Sequence, residues 1–183
     1  MVGKGTHREI EIKLRLASVA QGRRLLGRAG FTVSKRRVFE ENILYDTAES
    51  ALRNSGSALR LRTSGKREVL TFKGPCEPGK HKSREELEME LGDRETFEAI
   101  LSRLGFQPVF RYEKYRAEYS RARTRGTATL DETPVGVFFE LEGTPAWIDR
   151  TARELGFSEA DYITAGYVEL HRRAAGSTEP GDH

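Results

Sequence analysis

The chain has 183 residues, 37% hydrophobic and 32% charged, with 31 basic and 28 acidic side chains, a net charge of +3 and one cysteine. That composition points to one globular domain and excludes an internal disulfide and a cysteine metal site. No stretch approaches the roughly 18 apolar residues of a membrane helix, and mixed charges without a dominant basic run argue against a nucleic-acid partner.

The opening "MVGKGTHREI" lacks the apolar core of a signal peptide, so a cytoplasmic location is expected. A first strand is predicted over 9–16, "EIEIKLRL". Alternation puts Ile10, Ile12, Leu14 and Leu16 on one face and Glu9, Glu11, Lys13 and Arg15 on the other. A helix follows, from a Ser18 cap to a stop at Gly30, and then a strand over 36–46. "TAESALRNSG" reads as a short helix capped by Thr47 and stopped at Gly56. Strands over 57–64 and 67–74 flank the turn "TSGK". The loop 73–83, "KGPCEPGKHKS", is a candidate flap over a site.

A strand over 84–91 leads to a helix that begins at Asp93 and ends at Gly105. Strands over 108–120, 125–133 and 136–143 follow, the last two joined by "ETPVG". The next helix has Thr144 as cap, Pro145 at its first position and Gly156 as stop. A last helix covers about 165–173, and 174–183 reads as a disordered tail. The similar phrases "LLGRAGF" and "LSRLGF" each precede a strand and hint at two related halves. Many antiparallel strands with few helices predict a single α+β domain, 1–173, built around a large sheet or barrel.

The charged face of the first strand recurs. Arg60 and Arg62 alternate with Leu59 and Leu61, Lys73 follows Phe72, and Arg84, Glu86, Glu88 and Glu90 share one parity. So do Lys114 and Arg116, then Glu140 and Glu142, with Asp131 between. A wet sheet face with cross-strand ion pairs explains any one of these strands. It does not demand that 60, 62, 73, 114 and 116 be basic while 9, 11, 140 and 142 are acidic. Metal-bound polyphosphate wants both sets. Arg and Lys clamp phosphate oxygens, and hard cations such as Mg²⁺ or Mn²⁺ take carboxylates. Two Glu-x-Glu pairs offer same-face carboxylates roughly 7 Å apart.

Glu9-Ile10-Glu11-Ile12-Lys13 resembles the N-terminal Glu-x-Glu-x-Lys motif of the CYTH family, the triphosphate tunnel metalloenzymes. The likeness continues in order through "LRLR" (59–62), "TFK" (71–73), "REELEMEL" (84–91), Lys114-Tyr115-Arg116, Asp131 and Glu140-Leu141-Glu142, covering about residues 9–172. It implies an eight-stranded antiparallel tunnel with flanking helices that holds a triphosphate and a divalent metal, Mg²⁺ or Mn²⁺. By resemblance, Lys13, Arg60, Arg62, Lys73, Lys114 and Arg116 bind phosphate. Glu9, Glu11, Glu88, Asp131, Glu140 and Glu142 face the metal, with Glu86 a further candidate. Lys13 and Glu142 are the catalytic pair, and Arg84 either pairs with wall acids or touches ligand.

Two departures bear on the activity. Members often carry a Lys shortly before a Ser-Tyr near the C-terminal end, where this chain reads Thr164-Ala165-Gly166-Tyr167. The class IV adenylate cyclase branch carries His-Phe six residues before the first motif glutamate, where Gly3 and Lys4 stand here. The resemblance therefore implies hydrolysis of a triphosphate, inorganic tripolyphosphate first, with thiamine or nucleoside triphosphates as further substrates. A class IV adenylate cyclase is the alternative, and a non-catalytic polyphosphate-binding module is a third reading that could dispense with the carboxylates. A homodimer is a general expectation for such a domain.

Other residues read as structural. Cys76 is a solvent-facing loop thiol despite its nearness to His81. His7, His81, His171 and His183 show no ligand spacing and read as surface residues. Trp147 reads as a core anchor, "TSGK" as a hairpin turn rather than a phosphate loop, and Lys80 and Lys82 as solvated lysines of the flap.

Overall fold

The computed structural model describes residues 7–176. Its strands are β1 (His7–Leu16), β2 (Thr32–Thr47), β3 (Ala58–Ser64), β4 (Arg67–Lys73), β5 (Lys82–Glu90), β6 (Phe106–Ser120), β7 (Thr127–Thr133) and β8 (Gly136–Glu142). They close into a barrel in the order β1-β5-β4-β3-β2-β6-β7-β8. Every neighbouring pair is antiparallel. The α+β barrel expected from the sequence is the observed fold.

Alternation explains how the wall is lined. The even positions of β1 point outward into a core of Ile12, Leu14, Leu16, Leu130, Phe139 and Leu141, capped by helices α1 (Val19–Arg28) and α4 (Pro145–Glu154). A second outer cluster, Ile43, Tyr45 and Leu61, lies with Leu101 of helix α3 (Arg94–Arg103). Glu9, Glu11 and Lys13 point inward. A closed barrel leaves no edge strand to pair elsewhere, and from Glu11 to Leu14 both faces of β1 are buried, for different reasons, while Arg15 beyond them is exposed.

Trp147 anchors the α4 side of this core, as expected, and is 4% exposed. A Cβ on Gly126 would lie 2.2 Å from its ring, so the chain passes there only without a side chain.

The helices begin where the sequence places them, with one correction. Ser18, Asp93 and Thr144 accept the backbone N–H of Gln21, Thr96 and Trp147. The short helix α2 (Ala51–Asn54) is not capped by Thr47; its N-cap is Ser50, in the left-handed region. The Asp46 carboxylate takes the N–H groups of Leu52 and Arg53 instead, and Thr47 Oγ1 takes that of Ala51. The last helix, α5, runs Tyr167–Gly176, a turn beyond the expected limit at 173. The rest of the expected tail, Gly3, Lys4 and His183 lie outside the described residues.

The two similar phrases end α1 and α3, each leading into one of the two longest strands, β2 and β6, which pair with each other. At one end of the barrel, Tyr112 and Phe138 pack with Ala165, Tyr167 and Leu170 from the C-terminal segment. That segment also mends the wall. Ile163 exchanges both backbone hydrogen bonds with Lys13, each 2.9 Å, beyond the point where β5 leaves β1. Among the described residues, no helix is long and apolar enough to cross a membrane.

Candidate functional site

The barrel encloses a cavity of about 1110 Å³. Into it the inward parity of six strands delivers Glu9, Glu11 and Lys13 (β1), Arg60 and Arg62 (β3), Lys73 (β4), Lys82, Arg84, Glu86 and Glu88 (β5), Lys114 and Arg116 (β6), and Glu140 and Glu142 (β8). All six expected phosphate-binding residues and five of the six expected metal-facing ones therefore line one space.

The sixth, Asp131, faces inward but stands behind the lining. It is fully buried, and its carboxylate accepts Lys114 Nζ at 2.9 Å, Arg116 Nε and Nη2 at 2.7 and 2.6 Å, and Tyr167 Oη at 2.7 Å. Burial opposes its charge, but Arg116 and Lys114 hold its pKa below the ordinary aspartate value. Asp131 thus braces the two bases of β6 from behind.

Other pairs span neighbouring strands. Lys13 Nζ sits 3.1 Å from Glu11 Oε1 and 3.0 Å from Glu140 Oε1. Burial works against its charge, yet those two carboxylates raise its pKa, so it stays an ammonium. Glu140 also accepts Arg116. Burial opposes the charge of Glu140 too, but Arg116, Lys13 and Lys114 hold its pKa well below the ordinary range.

Lys73 pairs with Glu86 and lies 3.2 Å from Glu9 Oε2. Burial and the nearby cations Arg60 and Arg84 push its pKa down, more than the acids restore it. Arg84 Nε is 3.6 Å from Glu9 and 3.7 Å from Glu86, so it does pair with wall acids, while still lining the cavity. Glu88 lies 3.7 Å from Arg60 and 3.8 Å from Arg62 and accepts Thr71 Oγ1 at 2.8 Å.

Glu142 differs from all of these. It is in register with Glu11 on the adjoining strand. No described Lys, Arg or His lies within ion-pair distance of it. Burial and the charges of Glu9, Glu11 and Glu140 lift its pKa to about 7. A carboxyl crowded by carboxylates, with no ammonium of its own, is an oxygen-only donor set suited to a hard divalent cation. Among the described residues, no three acidic, His or Cys groups stand as a ready cage. In kind, the donors are those Mg²⁺ or Mn²⁺ takes, and Glu142 with its register partner Glu11 are the residues that would hold it.

Sequence reasoning missed several residues. Lys82 is not a solvated flap lysine. It is buried at the start of β5 with Nζ 2.6 Å from Glu11 Oε1. Its parity with Arg84 and Glu86 was the available signal. Glu40 and Asn42 continue the inner parity of β2 and are buried beside the bases, Glu40 Oε2 lying 3.8 Å from Lys114 Nζ. Tyr167, at the segment without a lysine, puts its ring 5.1 Å from Lys13 Nζ and 4.8 Å from Lys114 Nζ.

The flap is fastened rather than free. Glu77 is held by Arg8 and by a backbone bond to Ser83. Lys80, exposed as expected, pairs with Asp149 and Glu159. His81 is not a surface residue, since its Nε2 sits 2.7 Å from Asp149 Oδ1 with the ring largely buried. His171 is likewise half-buried, against Phe110 and Tyr112, and burial lowers its pKa. Cys76 is exposed, as expected, at the rim of the cavity.

Comparison with known proteins agrees with this architecture. The family model described as the CYTH domain matches residues 7–167. A Methanocaldococcus jannaschii protein named "putative adenylate cyclase" is 30% identical over 173 residues, spanning 88% of this chain and 97% of the relative. A Pyrococcus horikoshii structure is 28% identical with a TM-score of 0.75, covering 91% of this chain and 99% of that one. A Hippeastrum structure, described as a putative adenylyl cyclase with a dominant triphosphatase activity, shares the fold at 23% identity and a TM-score of 0.68, covering 91% and 96%.

Proposed function

The chain belongs to the CYTH family, and from that premise we propose that it is a divalent-metal-dependent phosphohydrolase of triphosphate compounds, with inorganic tripolyphosphate as the first substrate. The observation that carries the reading is one cavity in which Lys13, Arg60, Arg62, Lys73, Lys114 and Arg116 converge with Glu9, Glu11, Glu140 and Glu142. In a wall built only to bind polyphosphate, Glu9, Glu11 and Glu140 would serve as partners of the buried bases, but Glu142, which pairs with no described base, would only repel the ligand. Bound Mg²⁺ or Mn²⁺ would neutralise phosphate charge and make a water more acidic. The rest falls to the chain. The arginines and lysines of β3, β4 and β6 hold the phosphate oxygens and stabilise the spreading charge. Lys13, fixed between Glu11 and Glu140, keeps its proton and serves as a fixed positive charge. Glu142, in register with Glu11 and without an ion-paired base, would help hold the metal, and its charge would place the attacking water beside the phosphate.

A second reading, conversion of ATP to cyclic AMP and pyrophosphate, is favoured by two observations. The Methanocaldococcus jannaschii relative carries a cyclase name, and the cavity lining also includes the apolar side chains Leu44, Val109, Phe110 and Val168. One assay separates the readings. Purified protein with Mg²⁺ or Mn²⁺ is offered tripolyphosphate, thiamine triphosphate and ATP in parallel, and orthophosphate, pyrophosphate and cyclic AMP are followed. Orthophosphate without cyclic AMP supports the hydrolase; cyclic AMP with pyrophosphate supports the cyclase; no product from any of the three overturns both.

A further inference from the structure

Lys82 is in register with Glu11 across β5 and β1, is 7% exposed and lines the cavity. Its Nζ and that of Lys13 lie 2.6 and 3.1 Å from the same oxygen, Glu11 Oε1. The two lysines are not equivalent. Lys13 has a second acceptor in Glu140 and the backbone clasp of Ile163 behind it. Lys82 has no other described carboxylate within ion-pair distance. Its ammonium depends on Glu11 alone.

Glu11, in register with Glu142, is also one of the carboxylates that would hold a divalent cation. A cation there and an ammonium on the same oxygen repel each other. A buried ammonium that loses its acceptor is costly unless another anion replaces it. In a cavity that contains triphosphate, phosphate oxygens are the available replacement.

We propose that Lys82 is a phosphate-binding residue held in reserve by Glu11: a divalent cation on Glu11 displaces its ammonium, which turns to a phosphate oxygen. The inference rests on the reading of the tunnel as a triphosphate site and adds a seventh phosphate ligand and an order, cation before full phosphate grip. It gives Lys82 opposite effects on the two ligands, because it competes with the cation and attracts the anion.

Calorimetric titration tests this with Mn²⁺ alone and with tripolyphosphate in the presence of Mn²⁺. Lys82→Met keeps the stem and removes the charge. It is expected to bind Mn²⁺ about fivefold more tightly, Glu11 having lost its competitor. It is expected to bind tripolyphosphate roughly 10- to 100-fold more weakly, the loss of one charge-assisted hydrogen bond. Lys82→Arg, which keeps the charge, stays within a few-fold of wild type for tripolyphosphate. Parallel weakening of both ligands in Lys82→Met, or unchanged tripolyphosphate affinity, would overturn the proposal and leave Lys82 a structural partner of Glu11. Failure of the wild-type protein to bind tripolyphosphate at all would overturn the reading of the tunnel itself, and the proposal with it.

Discussion

Glu142 faces Glu11 across the β8–β1 seam, two carboxyl groups in register on the inner wall, and only Glu11 has lysines to neutralise it. The pair is a charge conflict resolved by a proton or by a metal ion.

The proton side of that choice fixes a pH dependence. Burial and the neighbouring acids raise the Glu142 pKa to about 7 from 4.5, so the folded state binds the proton more tightly than the unfolded chain. The stability this gives is complete below about pH 4.5 and is lost as pH rises through about 7. Glu86, raised mainly by burial and then by its bond to Glu9, acts in the same sense. Metal-free protein should therefore melt lower at pH 8 than at pH 5.5. Glu142→Gln should remove part of that slope, on the order of 2 kcal/mol. Calorimetric melts across this range check it, and an unchanged slope in the variant contradicts the assignment.

The metal side makes a linked prediction. At pH 7 about half of the Glu142 carboxyls carry a proton that a bound cation must expel. Titrating Mg²⁺ or Mn²⁺ into wild-type protein in buffers of different ionisation enthalpy should report about half a proton released per site. Glu142→Gln should release less, bind metal more weakly and lose turnover while retaining tripolyphosphate binding. Chelation should abolish turnover in the wild type, and added Mn²⁺ should restore it.

Asp131 is expected to behave in the opposite way. Its carboxylate receives Lys114, Arg116 and Tyr167 in a fully buried position, so Asp131→Asn leaves two buried cations short of negative charge. The loss should be about 3–5 kcal/mol of folding stability, read by urea denaturation. Activity loss without destabilisation would instead make Asp131 a ligand-contacting residue.

Arg62 offers the cleanest separation of binding from folding. Its nearest carboxylate oxygen is 3.8 Å away, whereas Arg116 is held by two acids. Arg62→Ala should weaken tripolyphosphate binding by roughly 10-fold or more with little change in melting temperature, and Arg116→Ala should weaken both.

A sheet with one dry and one charged side was legible because both faces of its strands are patterned: "EIEIKLRL" needs both, and each later strand repeats the requirement, while closure into eight strands was what the family resemblance implied. The convergence of β1, β3, β4, β6 and β8 on one cavity followed from the same parity. What escaped was whatever parity could not assign. Lys82 was hidden by a strand boundary two residues off, because Gly79 and Pro78 made the whole stretch look like turn. Glu40 and Asn42 sit in a strand whose first eight residues are exposed, so its inner parity starts late. The His81–Asp149 contact joins residues far apart in sequence, and no local pattern encodes it.

Ring closure has a consequence for how the protein is made. The first strand pairs with the last, and the C-terminal segment completes the wall at Lys13. Contacts of such long sequence separation form late and slowly. Until β8 and Ile163 arrive, Glu11 and Lys13 stand in water beside an unfinished sheet. The charges that define the interior are therefore desolvated together, at the end of folding, and each arrives with its partner already opposite. A chain stalled before its last hairpin would leave the apolar outer face of β1 without Phe139 and Leu141 of β8 and Trp147 and Ile148 of α4 to cover it, which makes the C-terminal third the segment on which escape from aggregation depends.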